Sequence, residues 1–252
     1  MNVDEYAKMR QAEDHYWWFV SRRRLALALL ERFAPDARGV LDVGSGTGAL
    51  LADLEPPLPF GREGQGVRGL VAGLDYSPLA VQFCRERGLS NLLVGDAERI
   101  PFLPGSLDAV VSLDTLEHVR DHESAVAGIA KSLKQGGVLV LNVPAFRWLW
   151  GPHDVALMHH RRYTKGEVRA ILERHGLKVE KLSYSVFLLF PVVVLIRLLD
   201  KFKWGPPKVS LPKVSGPSNR LLVKLQDMEA RWILAGSLPW GSSVVAVARK
   251  DG

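Results

Sequence analysis

The fold is decided by the stretch Val40-Leu41-Asp42-Val43-Gly44-Ser45-Gly46-Thr47-Gly48. Its first residues are apolar and β-branched, three glycines follow at alternate positions, and residues 49–54 then have a helical pattern. Glycine tolerates a positive φ and lets a ligand approach the backbone closely. The free N–H groups at the start of the next helix favour an anionic group on that ligand. The stretch therefore predicts a nucleoside-containing cofactor at the first strand-to-helix turn of a doubly wound sheet.

Two kinds of cofactor fit this turn. Gly44, Gly46 and Ala49 satisfy the fingerprint G-x-G-x-x-G/A, which is typical of NAD-linked oxidoreductases. Asp42, however, lies just before the glycines, where a carboxylate repels a pyrophosphate and attracts an ammonium or sulfonium group. Asp75 ends the next predicted strand, where an acidic side chain accepts hydrogen bonds from ribose hydroxyls. A cationic nucleoside cofactor is therefore favoured over a dinucleotide.

Five segments resemble, in order, the motifs of the class I S-adenosylmethionine-dependent methyltransferases. They are the glycine-rich stretch 40–48, the ribose-binding strand end 73–78, the adenine-facing segment 94–98, the fourth strand and the helix after it at 108–119, and the turn into strand five at 133–142. The cofactor half is similar to the ubiquinone-pathway methyltransferases and to those of sugar and glycolipid assembly. The resemblance implies the cofactor S-adenosyl-L-methionine and a Rossmann-like methyltransferase fold. This fold is α/β and doubly wound, with a seven-stranded, mostly parallel sheet.

The resemblance also implies which residues hold the cofactor. The glycines shape the loop against its methionine part, Asp75 binds the ribose hydroxyls, and Asp96 faces the adenine amine. For Asp96 the structural alternative is a turn cap, and for Tyr76 it is simple packing. The full implied set is Asp42, Gly44, Ser45, Gly46, Gly48, Asp75, Tyr76, Asp96, Ala97 and Asp114.

Histidines supply the candidates for acid–base chemistry. In the resembling family the acceptor site begins after strand four, and a second polar segment, 152–163, lies at the carboxyl edge of the predicted sheet. Histidine is the usual base for a hydroxyl acceptor, so the catalytic candidates are His118, His153 and His160. Adjacent residues on a helix point about 100° apart, so Glu117 and His118 are not expected to act on the same atom.

The same polar segment also contains metal-ligating and basic side chains. His153, His159 and His160 with Asp154 are residue types that bind zinc, but their spacing matches no standard zinc pattern, so no metal is predicted. The arginine pair at 161–162 either holds an anionic substrate or forms a solvated basic face. The segment after strand four lacks the Asn-Pro-Pro-Tyr type of motif of resembling enzymes that methylate nucleobase amines, which disfavours that substrate class.

Composition limits the alternatives only loosely. The chain of 252 residues is long enough for one substantial core, and its net charge of +6 suits an anionic membrane surface or nucleic acid without requiring either. The single cysteine, Cys84, cannot form an internal disulfide, which indicates a reducing compartment, and we expect its side chain to be buried. The first residues lack the apolar core of a signal peptide, so the expected location is cytoplasmic.

The chain is predicted to be a single methyltransferase domain in four parts. These are an N-terminal helical cover (1–36), the cofactor-binding core (37–185), an apolar and basic helical insertion (186–240) and the last strand (241–252). Residues 56–69 have no periodicity and are predicted to be a surface insertion. The last two strands should pair antiparallel, as in the resembling family.

The insertion has two predicted roles. Residues 186–196 are apolar and uncharged but too short to span a bilayer, which takes about 20 residues. Basic and aromatic residues follow up to Lys208. The segment is either a lid over the active site or a surface that rests on an anionic membrane or admits a lipid-like substrate. The N-terminal aromatic and basic cluster 15–24 either covers the cofactor, as in the resembling family, where it would shield the sulfonium and reach the cofactor carboxylate, or belongs to a helix that simply docks on the domain.

Together these patterns predict transfer of a methyl group from S-adenosylmethionine to an oxygen of a small-molecule or lipid-like acceptor, with a carbon or a nitrogen as the alternative acceptor atom. A peripheral contact with an anionic membrane fits this prediction, and nucleic acid is disfavoured as a partner. The alternatives are an NAD-linked oxidoreductase, a catalytically silent protein that binds S-adenosylmethionine, and a nucleic-acid methyltransferase.

Overall fold

The computed structural model describes residues 3–55, 69–200 and 212–251. Seven strands within these ranges form one sheet: β1 (Gly39–Val43), β2 (Leu70–Asp75), β3 (Leu92–Val94), β4 (Leu107–Leu113), β5 (Leu133–Pro144), β6 (Leu177–Ser185) and β7 (Ser243–Lys250). The order across the sheet is β3-β2-β1-β4-β5-β7-β6, and β7 alone runs antiparallel to its neighbours. This confirms the predicted doubly wound, mostly parallel sheet with an antiparallel last strand.

Nine α-helices of the described chain surround the sheet or close its ends. They are α1 (Val3–Ala12), α2 (Trp17–Phe33), α3 (Ala49–Leu54), α4 (Pro78–Glu86), α5 (His122–Ser132), α6 (Pro152–Ala156), α7 (Lys165–Arg174), α8 (Phe190–Asp200) and α9 (Gly216–Ala235). Several begin at side-chain caps: the Thr164 hydroxyl accepts from the Glu167 N–H, and the Asp121 carboxylate accepts from the Ser124 N–H. These caps fix where the chain leaves the sheet edge and re-enters a helix.

The core has two layers because helices cover both faces of the sheet. Apolar side chains of α5 and α7, including Ile129 and Leu172, pack on one face. Those of α2, α3 and α9, including Leu29, Leu51 and Ile233, pack on the other. Cys84 of α4 is fully buried in the second layer, as its sequence context predicts. The core thereby holds the carboxyl ends of the parallel strands in a fixed array.

Two predicted insertions are described only in part. Residues 56–68, most of the predicted surface insertion, lie outside the described residues, as do the basic residues at 201–211. Between β6 and β7 the structure describes α8 and α9, which agrees with a helical insertion before the last strand. In the described ranges, helices are either too short or too polar to cross a membrane.

Candidate functional site

A cavity of about 1730 Å³ opens at the carboxyl ends of β1 and β4. Chain connections diverge from this point, since β2 and β3 extend the sheet to one side and β5 to the other, and ligands bind at such switch points. Small-molecule sites usually measure about 300–1,000 Å³, so this cavity has room for a nucleoside cofactor and a second molecule. It is lined by the three catalytic candidates His118, His153 and His160, and by every predicted cofactor residue except Gly48.

The glycine-rich turn is fixed to the neighbouring strand by its own backbone. The N–H groups of Gly44 and Ser45 both donate to the carbonyl of Leu74, at N···O distances of 2.7 and 3.1 Å. Gly44 and Gly46 have φ values of +78° and +55°, in the region that favours glycine. A Cβ on Gly44 would lie 2.1 Å from the Thr115 hydroxyl oxygen, so that position admits no side chain. Gly44, Ser45 and Gly46 thus present bare backbone to the cavity.

Gly48 has a different place from the one that the sequence predicts. It forms the N-cap of α3 with a φ of +87°, and a Cβ there would lie 2.8 Å from the Cys84 sulfur. Gly48 does not line the cavity, because it lies behind the loop and packs against α4. Gly48 therefore shapes the turn from behind.

Asp75 is the residue that joins the loop, the second strand and the N-terminal helix. Its carboxylate is buried and accepts hydrogen bonds from the Gly46 and Ser77 N–H groups, both at 2.9 Å, and from the Tyr6 hydroxyl of α1 at 3.1 Å. Burial raises the pKa of Asp75, and the backbone hydrogen bonds act in the opposite direction. The predicted ribose-binding carboxylate therefore faces the cavity with Tyr6 already bound to it.

Three buried acidic side chains, Asp42, Asp75 and Glu13, surround the loop at this end of the cavity. Asp42 is buried, and its burial together with the charges of Asp75 and Glu13 raises its pKa to about 8. Glu13 accepts from the Thr47 hydroxyl and pairs with Arg87 at 2.7 Å. Asp42 keeps its proton at pH 7, and a sulfonium or ammonium group beside it would favour its charged form, whereas a pyrophosphate would oppose it.

The sequence reasoning missed Tyr6 and Glu13. Both line the cavity from the N-terminal segment, as does Met9, whose methyl carbon would lie 2.6 Å from a Cβ on Gly46. A helical spacing places Tyr6, Met9 and Glu13 on one side of the chain, and this periodicity was the available signal. The prediction for the N-terminal segment was based instead on the aromatic and basic cluster 15–24 that follows.

Replacing Asp42 by asparagine is expected to stabilise the cofactor-free protein at pH 8. The folded protein keeps the Asp42 proton up to about pH 8, whereas the unfolded chain releases it near pH 4. Folding therefore binds a proton in this interval, and the wild type loses stability as the pH rises from about 4 to about 8. Because asparagine avoids this loss, we expect a Tm about 2–6 °C higher at pH 8 and no difference at pH 4.

Thermal unfolding followed by circular dichroism between pH 4 and 8.5 checks this prediction. The control is Asp108→Asn, because hydrogen bonds from Lys134 and from the Gly39 backbone outweigh partial burial and lower the pKa of Asp108. That variant should lose stability at pH 8. A difference in Tm between Asp42→Asn and wild type that stays constant with pH would contradict the raised pKa of Asp42.

The remaining predicted cofactor residues line the rest of this half of the cavity. Tyr76 is 77% exposed at the cavity edge, and Ala97 lies half-buried beside Asp96. The Asp96 carboxylate accepts from the Glu98 N–H at 2.9 Å, so it caps the short 3₁₀ helix 97–99. Asp96 therefore has the turn-capping role that the sequence allowed, on a loop that faces the cavity.

Asp114 follows β4 at the centre of the cavity and is paired with an arginine of the N-terminal cover. Its carboxylate accepts from Arg22 at 2.9 Å and from the Asn142 amide at 3.0 Å, and its φ is +50°. The Arg22 guanidinium stacks on the Trp18 ring at 4.1 Å and also donates to the Ser243 hydroxyl. The cluster 15–24 thus reaches the cavity, with its arginine held between Asp114 and Trp18, and its contact with the cofactor stays a prediction.

At the opposite end of the cavity, a buried carboxylate organises the polar segment. Asp154 is fully buried and accepts from Arg162 at 2.8 and 3.1 Å, from the Gly151 N–H at 2.8 Å and from His159 Nδ1 at 2.9 Å. Burial alone would raise the pKa of Asp154, but the hydrogen bond from His159 and the charge of Arg162 hold it well below its usual range. Arg161 donates to the Val119 carbonyl at 2.7 Å.

The expected solvated basic face is wrong for Arg162, and an anionic substrate at the arginine pair stays a prediction. Arg162 is nearly buried and binds Asp154 and the Ala145 carbonyl, so it forms no solvated face. Arg161 binds the carbonyls of Val119 and Arg120. The two guanidinium groups satisfy backbone carbonyls and Asp154, which holds the polar segment against the loop after β4.

The three catalytic candidates differ in burial and in pKa. Burial and the neighbouring His159 lower the pKa of His118 to about 3, and burial together with Arg197 lowers that of His153 to about 4. His160 is exposed at the cavity edge, and slight burial and Arg161 lower its pKa. All three imidazoles are therefore neutral at pH 7.

One expectation about this end of the cavity is contradicted. Glu117 and His118 lie in a single 3₁₀ turn, Leu116–His118, and not on a regular α-helix. A carboxylate oxygen of Glu117 and a ring nitrogen of His118 lie within 4.8 Å of each other and of a ring nitrogen of His159. The two adjacent side chains therefore converge on one place, because the turn is too short to impose the helical angle.

Helix α8 forms part of the cavity wall and is apolar on its outside as well. Val193 and Ile196 line the cavity, whereas Val192, Leu195 and Leu199 are 52–57% exposed. α8 thus has the position of the predicted lid, and its outer surface has the apolar character of the alternative role.

Comparisons with known proteins agree with this geometry. Residues 41–141 match the family model described as "Methyltransferase domain". A "Probable S-adenosylmethionine-dependent methyltransferase" of Mycolicibacterium smegmatis is 30% identical over 176 residues, which cover 67% of this chain and 62% of that protein. A "Ubiquinone biosynthesis O-methyltransferase" of Thiobacillus denitrificans is 33% identical over 153 residues, which cover 54% of this chain and 61% of that protein. The chain thus spans about three fifths of the length of these curated relatives.

Solved structures support the fold. A Haloferax volcanii protein described as "the putative methyltransferase", solved in complex with the Trm112 methyltransferase activator, superposes with a TM-score of 0.63 at 22% identity, over 99% of this chain and 95% of that chain. The alternative of an NAD-linked oxidoreductase receives no support from these matches, and the three acidic side chains around the loop argue against it. The matched domain extends from β1 into β5 and includes the glycine loop, and the chain belongs to the class I S-adenosylmethionine-dependent methyltransferases.

Proposed function

We propose that the protein transfers the methyl group of S-adenosylmethionine to a hydroxyl oxygen of a small, lipid-like acceptor. The observation that carries this proposal is the single cavity whose one end is a bare, acidic glycine loop and whose other end is lined by neutral histidines and α8. The first end suits the charged cofactor, and the second suits an acceptor with an apolar body and a polar reactive group.

The cofactor half supports the proposal residue by residue. Asp75 would bind the ribose hydroxyls, and the backbone at Gly44 and Gly46 would contact the methionine part, where Asp42 would give up its proton beside the sulfonium or ammonium group. Arg22 would meet the methionine carboxylate. The acidic surroundings favour the cationic cofactor over its neutral thioether product, which helps product release.

The acceptor half supports an oxygen nucleophile on an apolar molecule. Relatives named as ubiquinone biosynthesis, trans-aconitate and malonyl-[acyl-carrier protein] methyltransferases include two classes named for O-methylation. α8 places Val193 and Ile196 in the cavity and leaves an apolar outer surface, which suits an acceptor that arrives from a membrane. Peripheral contact with an anionic membrane belongs to the same proposal.

The reaction is an in-line displacement at the sulfonium methyl group. The acceptor oxygen forms a bond to the methyl carbon while the carbon–sulfur bond breaks, and the bonding pair stays on sulfur as the thioether. Most of the rate comes from alignment and exclusion of water, and a base accepts the hydroxyl proton. We assign this role to His160, because His118 and His153 have pKa values of about 3 and 4 and would bind a proton too weakly.

An acceptor screen tests the proposed function. S-adenosylhomocysteine release is measured with phenols, catechols and hydroxy acids, each with and without a long alkyl chain, after calorimetry has established binding of S-adenosylmethionine. We expect turnover with hydroxyl acceptors and a higher kcat/KM for the alkylated member of a pair. Cofactor binding without turnover on any acceptor would instead identify a catalytically silent protein, and preferred binding of NAD would contradict the proposal.

Replacement of His160 by asparagine is expected to lower kcat about 10²-fold or more on the best acceptor, with the Kd for S-adenosylmethionine unchanged. The matched control is His153→Asn, a neighbouring cavity histidine, for which we expect a change in kcat of less than about threefold. Equal losses in the two variants would contradict the assignment of the base to His160.

A further inference from the structure

We propose that Glu117, His118 and His159 form a binding site for a divalent transition-metal ion of the zinc type, at the acceptor end of the cavity. All three line this cavity, and their ligating atoms lie within 4.8 Å of one another. Atoms that share one ion at about 2.0–2.2 Å lie about 3–4 Å apart, so small side-chain rotations complete the site. Among the described residues, this is the one group of this kind.

Two of the three side chains carry polar atoms without a partner. Glu117 Oε2 and His118 Nδ1 are buried, and neither has a hydrogen-bond partner in the described chain. Glu117 as a whole is only 1% exposed. A buried polar atom without a partner costs about 1–3 kcal/mol, and two such atoms side by side are unusual in a native protein. One bound cation satisfies both lone pairs.

The third side chain is oriented as a metal-bound histidine usually is. His159 Nδ1 is hydrogen-bonded to Asp154 at 2.9 Å, which leaves Nε2 as the free ring nitrogen. Arg162 and the Gly151 N–H fix the Asp154 carboxylate in turn. A carboxylate behind a ligating histidine fixes its tautomer and raises its basicity, and such partners are typical of zinc sites.

The ligand set determines the class of metal. Two imidazoles and one carboxylate suit Zn²⁺ and related first-row ions, whereas Mg²⁺ and Ca²⁺ prefer oxygen ligands alone. Three protein ligands would leave one coordination position for a molecule in the cavity that all three side chains line. On the proposed function, on which this role rests, the acceptor oxygen occupies that position and is brought beside His160.

No metal was predicted from the sequence because standard zinc patterns place ligand pairs only a few residues apart in the chain. The three ligands come from the turn after β4 and from the segment after α6, and a chain distance of about 40 residues separates them. The cluster predicted as the metal alternative, His153 and His160 with His159 and Asp154, contributes only His159 to the site. Asp154 lies behind it.

Metal titration of the whole protein tests the inference without any methyl acceptor. Chelator-treated protein is titrated with Co²⁺, read by its visible absorption bands, and with Zn²⁺ in competition with a chromophoric chelator. We expect one equivalent per chain, a Zn²⁺ affinity at least 100-fold weaker in His118→Asn and His159→Asn, and wild-type affinity in His153→Asn. Binding of less than 0.1 equivalent to wild type, or equal affinity in all four proteins, would overturn the proposal.

The variant Glu117→Gln keeps the size of the side chain, so it separates loss of metal binding from loss of the fold. Zn²⁺ should raise the Tm of the wild type and of His153→Asn but not that of Glu117→Gln, with far-ultraviolet circular dichroism unchanged. A Tm increase retained by Glu117→Gln would remove Glu117 from the site. If the wild type binds no metal but still transfers a methyl group, the metal site is contradicted and the proposed function stands. If the wild type binds one metal ion but transfers no methyl group to any acceptor, the metal site stands and the proposed function is contradicted.

Discussion

Replacement of Gly44 by alanine is expected to abolish measurable binding of S-adenosylmethionine, with a Kd at least 100-fold higher. The new Cβ would lie 2.1 and 2.6 Å from Oγ1 and Cγ2 of Thr115. Thr115 cannot easily move, because its hydroxyl donates to the carbonyls of Val43 and Leu113. The loop must therefore shift away from β2, where Leu74 holds it, and a 100-fold change corresponds to about 2.7 kcal/mol. Isothermal titration calorimetry provides the measurement.

The chain offers a matched control for this substitution. Gly136 has a φ of +75°, close to that of Gly44, but a Cβ there meets no atom within 4 Å. Gly136→Ala should cost about 1 kcal/mol of stability from the backbone conformation alone and leave the Kd unchanged. Thr115→Ala should partly restore binding to the Gly44→Ala variant. If Gly44→Ala binds the cofactor normally, the close contact between the loop and Thr115 is not what shapes the site.

Replacement of Asp154 by alanine is expected to destabilise the protein by about 3–5 kcal/mol. The substitution leaves the nearly buried guanidinium of Arg162, the His159 ring and the Gly151 N–H without their acceptor. Chemical denaturation at pH 7 measures this loss. The control is Asp227→Ala, which breaks an exposed ion pair with Arg24 and should cost less than about 1 kcal/mol.

The effect of Asp154 should also depend on pH. Its pKa in the folded protein lies below that of an unfolded aspartate, so its stabilisation is fully present above about pH 4 and is lost as the pH falls through the folded pKa. The difference in stability between wild type and Asp154→Ala should therefore be constant from pH 7 to about 5 and shrink below that range. A loss comparable to that of Asp227→Ala would show that Asp154 does not hold the polar segment in place.

The features that could be predicted from the sequence are those determined by residues close together in the chain. The glycines of the loop after β1 stand where φ is positive or where a side chain has no space, and such requirements are visible in a short motif. The strands β1, β4 and β5 are apolar runs because both their faces are covered. Asp75 could be placed because a strand end in a parallel sheet always faces the ligand edge.

The parts that could not be predicted depend on contacts between distant residues. Tyr6 meets Asp75 across 69 positions, and Arg162 meets Ala145 and Asp154 through a loop without any periodic pattern. Glu117 and His118 were expected to diverge, because a helix was assumed where the chain makes only one 3₁₀ turn. A single turn leaves no periodic pattern in the sequence. The directions of its side chains are set by the segment that packs on it.

The hydroxyl of Tyr6 on Asp75 has a consequence for how a nucleoside enters. On the proposed function Asp75 binds the ribose, so each ribose hydroxyl would replace an existing partner of Asp75, the Tyr6 hydroxyl, instead of satisfying a vacant one. The sugar therefore adds selectivity for shape with little net affinity. The attraction would come from the sulfonium and the carboxyl group of Asp42, which would release its proton as the cofactor binds.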